Sequence, residues 1–403
     1  MKKISLILIT ATIALAAQFP ATSKQWPCWL IGQAEANDTN PCAPPNQISS
    51  SPDETAWKLL VAATCPVNNN RYPYVVWENW IEQAQMYPPH PALGLKVPNS
   101  QALVAPGRLL HVSPLTIARE PGLATKVPGR EGGADQICNK AGDPPPGQTN
   151  LVVCEEVRLN GAAEDYVAGS GLWNRPQQVL AANSGGGIAF SKPSIEVKAD
   201  WILLSSIGFD CDNLPASLTD GVHVETVNGN CYALAGIAIT SKLLKNWLWA
   251  TWEPQNPVTN PNRCEVLGCT DFYGSRPPRT SGADTELTKR LADLMDTAKL
   301  APEWRNYRLD GVQTVFVGPD RQPTLLGNSI IEAENANIPL TQSSCITCHS
   351  VSSIKKDGTD GSTLLTSNPI GKPQALPSNA WSRRDFVWSL SEACPGSPFQ
   401  SCE

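Results

Sequence analysis

The sequence predicts an α+β fold: an antiparallel, β-rich central region, a C-terminal segment of helical character, and many loops. Three observations carry that prediction. Strand-like patterning clusters between residues 195 and 317, apolar residues recur at helical spacing in only a few stretches, and 36 prolines and 29 glycines are spread along all 403 residues. So much proline and glycine forbids long helices over most of the chain and predicts frequent turns.

Helical spacing occurs over 53–63, where Asp53 is a candidate cap and Trp57, Leu60 and Val61 share a face, and again over 77–86, 155–167 and 286–300. The last is the clearest. Leu287, Leu291, Leu294 and Met295 follow the helical period, and Pro302 ends it. Strands are expected over 195–204 around Trp201, over 231–240, which is apolar and β-branched, over the tryptophan-rich 246–252, and over 313–317. Alternation puts Trp247 and Trp249 on one face. Asn228-Gly229-Asn230 reads as a turn into Cys231, and Ser184-Gly185-Gly186-Gly187 as a flexible turn. Segments 38–52 and 141–149, the latter holding Asp143-Pro144-Pro145-Pro146-Gly147, read as surface linkers. Near the C-terminus, Phe386, Val387 and Leu390 predict a helix over 383–393.

The chain divides into a signal peptide (1–17), a loop-rich N-terminal region (18–150), a β-rich central domain (151–325) and a C-terminal segment (326–403). Met1-Lys2-Lys3 followed by an apolar run to Ala17, with Ala14-Leu15-Ala16 near a cleavage point, has the build of an export signal. The run falls short of the roughly 20 residues that span a bilayer, and no second one follows, so no integral membrane segment is expected after cleavage. A periplasmic or secreted location is the expectation. The net charge of −6, with 17% charged residues and no like-charge block, argues against nucleic acid or an anionic membrane as partner.

Thirteen cysteines in an exported chain predict disulfides. Local spacing suggests Cys264 with Cys269, Cys211 with Cys231, Cys138 with Cys154 and Cys394 with Cys402, while Cys28, Cys42 and Cys65 share one further bridge. Cys345 and Cys348 have a different use. Cys345-Ile346-Thr347-Cys348-His349 is the C-x-x-C-H attachment signature of a c-type haem: the two thiols add to the porphyrin vinyl groups and the imidazole ligates the iron. Cys345, Cys348 and His349 are therefore the expected cofactor-binding residues of one covalent haem c, with His349 the iron ligand.

The sixth iron position decides what such a haem does. No methionine follows His349, so the protein ligands on offer are Met86, Met295, His90, His111 and His223, all upstream. A filled sixth position predicts an exported mono-haem c-type cytochrome in periplasmic electron transfer, with a redox protein as partner. An open one predicts a peroxidase- or oxidase-like haem enzyme acting on a small molecule, and a third reading is a ligand-binding or sensor protein that uses the tryptophan-rich sheet. Trp381 and Trp388 are candidates to cover the haem edge. No G-x-S-x-G, H-E-x-x-H, phosphate-loop or dinucleotide signature occurs. Glu155, Glu156, Glu332 and Glu334 are general acid/base candidates by residue type, but adjacent carboxylates of this kind read as solvated, and no catalytic residue is assigned.

Several segments together resemble a family of bacterial mono-haem cytochrome c proteins of poorly assigned function. The matching pieces are Glu156-Val157-Arg158-Leu159-Asn160 with Asp165-Tyr166, Ile195-Glu196-Val197-Lys198-Ala199-Asp200-Trp201, the stretch 232–242, Trp247-Leu248-Trp249-Ala250-Thr251-Trp252-Glu253, and 328–349. The resemblance covers roughly 150–390 and implies a haem protein with Lys198, Lys242 and Glu253 on its strands. Where the family pattern has two histidines, this chain has Ala238 and Pro254. No catalytic residue is therefore carried over from the family.

Overall fold

The computed structural model describes residues 40–67, 75–87, 138–140, 152–184, 187–227, 230–255, 263–276, 285–332, 338–365 and 370–393. The fold is α+β around a central antiparallel sheet. Eight strands build that sheet: β1 (Ile81–Glu82), β2 (Cys138–Lys140), β3 (Val152–Leu159), β4 (Ile195–Leu203), β5 (Val224–Val227), β6 (Asn230–Ser241), β7 (Leu248–Pro254) and β8 (Tyr307–Gln313). The order is β1-β3-β4-β6-β7-β8, with β2 added to β3 and β5 to β6, and every pairing is antiparallel.

Alternation gives the sheet two unlike faces. Val197, Ala199, Trp201, Ile237, Ile239, Leu248, Ala250, Trp252 and Leu309 form one, and they pack on the helices Pro52–Thr64 and Lys289–Ala298 in the larger apolar core. Trp57 lies edge-on to Trp252 at 6.0 Å, and its Nε1 donates to Asp271 at 2.9 Å. Thr288 caps the second helix and Lys299 ends it in the left-handed region (φ 57°), so the pattern expected over 286–300 is helical over its central turns. The opposite face carries Glu196, Lys198, Asp200, Gly236, Ala238, Thr240, Trp249, Thr251 and Glu253. The C-terminal segment docks there.

Four expectations are corrected. Residues 155–167 are not one helix: β3 runs to Leu159, Asn160 turns the chain, and a helix spans Gly161–Gly169. The Glu156 and Arg158 side chains bond at 2.5 Å, and Trp201 Nε1 donates to Glu156 at 3.0 Å. Residues two apart meet this way on one face of a strand and not on a helix. Residues 77–86 split into a 3-10 turn (Val76–Asn79), β1 and a short helix (Gln83–Met86), because Ile81 is recruited opposite Leu159. The strand expected over 313–317 lies earlier and ends at Gln313. It was hidden by buried charges, since Arg308 donates to the Thr285, Arg305 and Tyr307 carbonyls. Residues 383–393 form a strand end (Trp381–Arg383), a turn and a 3-10 helix (Ser389–Glu392), because Asp385 (φ 52°) and Phe386 (φ 71°) are left-handed.

The strands expected over 195–204, 231–240 and 246–252 and the helix expected over 53–63 are present within a few residues of those bounds. Disulfides join Cys42 to Cys65, Cys211 to Cys231 and Cys264 to Cys269. Cys154 is disulfide-bonded as well, and position 138 lies opposite it in register. Cys28, Cys394, Cys402, Glu334, the signal segment, segment 141–149 and most of the turns at 184–187 and 228–230 lie outside the described residues. Among those described, no helix is long and apolar enough to cross a membrane.

Candidate functional site

One helical turn, Cys345–Ser350, presents the C-x-x-C-H motif. Positions i, i+3 and i+4 fall on one face of a helix. Cys345, Cys348 and His349 occupy that face and are half-buried, while Ile346 and Thr347 turn inward and are buried. Both cysteines keep their thiols. Burial, reinforced by Glu332, pushes the Cys345 thiol well up, which is the opposite of the electropositive setting of a redox-active thiolate.

Backbone and side chains brace this turn from two sides. On the N-terminal side, Cys345 N donates to Leu326 O at 3.2 Å, and Ile346 N donates to the Gln313 side chain at the end of β8 at 2.9 Å. Gln313 Nε2 then donates to Ser344 Oγ at 2.8 Å. On the C-terminal side, Trp388 Nε1 donates to Cys348 O at 3.3 Å, Ser352 Oγ to Val387 O at 2.8 Å, and Arg384 N to Ser352 O at 2.9 Å. Arg384 is itself fully buried, with Nε on Gln178 at 2.9 Å and Nη1 on Asp360. Trp388 thus touches the motif through its indole, whereas Trp381 pairs with Lys355 in a separate two-stranded ribbon.

The imidazole of His349 donates from Nδ1 to the Phe386 carbonyl at 2.8 Å, and Nε2 has no hydrogen-bond partner among the described residues. A carbonyl can only accept, so the proton sits on Nδ1 and Nε2 carries the ligating lone pair. Burial, against a small opposing pull from the Phe386 bond, lowers the pKa of His349 to about 4, so the ring is neutral at ordinary pH. Trp249 lies beside the ring at 4.4 Å, and Phe386 and Phe316 extend the aromatic surface at 6.2 and 6.3 Å. The left-handed turn at Asp385 and Phe386 is tied down by Lys242, whose Nζ is 2.5 Å from Asp385 Oδ1, and by Phe190 N, which donates to Asp385 Oδ2 at 2.8 Å.

These residues fit a covalent haem c. The donor set is two thiols and one imidazole of fixed tautomer on a single face, beside apolar and aromatic side chains suited to a macrocycle. Among the candidate sixth ligands, Met295 sits in the apolar core on the other face of the sheet. His223 packs there too, against Trp304 and Trp201. Met86 is fully buried in the same cluster as Ile346 and Leu390. His90 and His111 lie outside the described residues. Ala238 stands between Lys198 and Thr251 in register, and Pro254 opposite Tyr307. Lys198 pairs with Glu155 at 2.8 Å, and Glu253 accepts from Ser329 N at 2.5 Å and Arg263 N at 2.9 Å. Glu156 is buried and not solvated, and burial, with Lys198 pulling the other way, raises the pKa of Glu332 to about 7.

Sequence reasoning missed Gln313, Asp385 and the Phe386 carbonyl. Trp249 was visible in the tryptophan-rich strand, but its contact with His349 was not. No family profile, curated protein or solved structure matches this chain.

Proposed function

We propose that this chain is an exported mono-haem c-type cytochrome acting in periplasmic electron transfer, with a redox protein as its partner. The observation that carries the reading is the state of His349: Nδ1 is committed to the Phe386 carbonyl at 2.8 Å, leaving Nε2 as the ligating atom beside two thiols on the same helical face. Cys345 and Cys348 would hold the thioether links and His349 the proximal iron position. The group supplies a one-electron ferrous/ferric couple when bound. The chain's own part is to hold the imidazole in one tautomer and tilt, to shield one side of it with Trp249, and to keep water from its surroundings with Phe316 and Phe386. The disulfides support an oxidising compartment, in keeping with the signal-like N-terminus.

A second reading, a haem enzyme with an open sixth position acting on a small molecule, is favoured by one observation: Met295 lies in the apolar cluster on the far side of the sheet, and His223 stacks on Trp304 of that same cluster. Absorption spectra of the oxidised, reduced and carbon monoxide-treated protein separate the two. A reduced low-spin spectrum unmoved by the gas supports the carrier, and a shift makes the open-faced enzyme the better account. Protein that carries no covalent haem after export overturns both.

A further inference from the structure

We propose that Glu78, His223 and Glu225 form a site for one divalent transition-metal ion of the zinc or manganese class, independent of the haem motif, with Glu303 orienting the imidazole. His223 Nε2 lies 2.8 Å from Glu78 Oε1 and 3.5 Å from Glu225 Oε1, and the three side chains each offer a ligand atom within 4.8 Å of the others. Two ligand atoms about 2.1 Å from a four-coordinate ion are about 3.4 Å apart. The spacing to Glu225 already matches, and Glu78 needs only a small withdrawal. On the other edge of the ring, Nδ1 is 3.4 Å from Glu303 Oε1. A carboxylate behind an imidazole whose far nitrogen faces other ligands is the arrangement that fixes tautomer and raises ligand basicity at metal centres.

The scaffold is rigid where a metal site needs it. His223 is 6% exposed, its ring stacks on Trp304 at 4.8 Å, and Trp201 closes in at 5.9 Å. Its backbone is pinned from both sides, N–H to Tyr307 Oη at 3.2 Å and carbonyl from Leu234 N at 2.9 Å. Glu78 is 1% exposed and its second oxygen accepts from Val75 N at 3.0 Å. Charge points the same way. Three carboxylates face one imidazole, and the guanidinium within electrostatic reach of Glu78, that of Arg158, is already paired with Glu156. Even with His223 protonated the cluster keeps excess negative charge in a largely dry place, which a dication would neutralise. One nitrogen and two carboxylate oxygens suit zinc or manganese and not a thiophilic ion. The other group with metal-ligating composition, Cys264, Cys269 and Asp310, has its two sulfurs in a disulfide and carries no such inference. An ion at His223 would staple the 3-10 turn Val76–Asn79 and strand β5 together.

The test uses the full exported chain, stripped with a chelator, dialysed against zinc or manganese, and assayed for bound metal by mass spectrometry, which counts these ions separately from iron. One ion per chain is expected. Glu303→Gln, behind the imidazole, should weaken binding about 10- to 100-fold, and Glu225→Gln, which removes a ligand carboxylate, by at least as much; both side chains are partly exposed, while Glu286→Gln, an exposed control, should leave binding unchanged. The wild-type melting temperature should rise with metal, and that of Glu225→Gln should not. Absence of stoichiometric binding overturns the proposal, as does binding that is equal in Glu225→Gln, Glu303→Gln and wild type, which would place the ion elsewhere.

Discussion

Gly236 should tolerate no side chain, and the cost can be worked from one neighbour. A Cβ built there would stand 2.4 Å from Asn328 Oδ1 and 2.8 Å from its Nδ2. Asn328 is 1% exposed and makes four hydrogen bonds: Nδ2 to Thr251 Oγ1 (2.9 Å) and Trp252 O (3.2 Å), and Oδ1 from Ile330 N (3.0 Å) and Ile331 N (3.3 Å). In Gly236→Ala either Asn328 is displaced, losing bonds of about 1 kcal/mol each, or β6 shifts, at about 1–3 kcal/mol for overpacking. Less entropy in the unfolded alanine chain returns about 0.4–1 kcal/mol, so the net loss should be about 2 kcal/mol. Asn328→Ala should cost about 3 kcal/mol on its own, because it strands buried backbone donors. The double variant should be no less stable than Asn328→Ala, since the obstructing atoms are gone. Urea unfolding followed by tryptophan fluorescence gives the cycle. Strict additivity, or a Gly236→Ala midpoint equal to wild type, would refute the packing argument.

Three further outcomes are expected. Replacing Cys345 and Cys348 with Ala should give protein without haem stain after denaturing electrophoresis, and retained stain would sink the haem assignment. Burial, opposed by Arg158 and aided by Glu156, raises the pKa of Glu82 from 4.5 to about 8, so the folded state holds this proton more tightly than the unfolded one and stability should fall as pH rises from 4.5 to about 8. Glu196 and Glu332, both raised to about 7, act in the same direction, and Glu82→Gln should lose less stability than wild type between the urea midpoints at about pH 5 and about pH 9; parallel losses would count against it. Removing the Cys42–Cys65 bridge, which closes a separation of 23 residues, should cost about 3 kcal/mol in the same assay, with an unchanged midpoint as the contrary result.

What was legible in the sequence follows from which interactions are local. The long central strands β4, β6 and β7 showed themselves because apolar and β-branched residues dominate them, and the helix ending at Ala298 because its apolar stripe is cleanly periodic. Errors arose where charged residues are buried by partners far along the chain. Arg158 reaches the Trp80 carbonyl at 2.7 Å, and Arg308 the Thr285 carbonyl at 2.6 Å. In sequence such residues mark a surface, so β3 reads as a helix and β8 is legible only at its last residue, Gln313. The helix expected over 383–393 failed because Asp385 and Phe386 take left-handed conformations that no helix contains and that phenylalanine rarely adopts.

The candidate site divides along the same line. Thioether attachment demands two thiols at a fixed spacing with an imidazole next to the second, so the motif is written contiguously and reads without a structure. Orientation makes no such demand. The group that fixes the His349 tautomer is a backbone carbonyl 37 residues later, and any residue at 386 would offer one. What is specific is the path that brings that carbonyl within 2.8 Å: the left-handed Asp385, clamped by Lys242 from 143 residues away and by the Phe190 amide from 195 away. Lys242 lies just beyond β6, and its own N–H donates to the Ser194 carbonyl just before β4 at 2.9 Å. The imidazole is therefore referenced to the central sheet through Lys242 and Asp385, which is why the strands around the motif and the motif itself constitute one site although only the motif declares itself in the sequence.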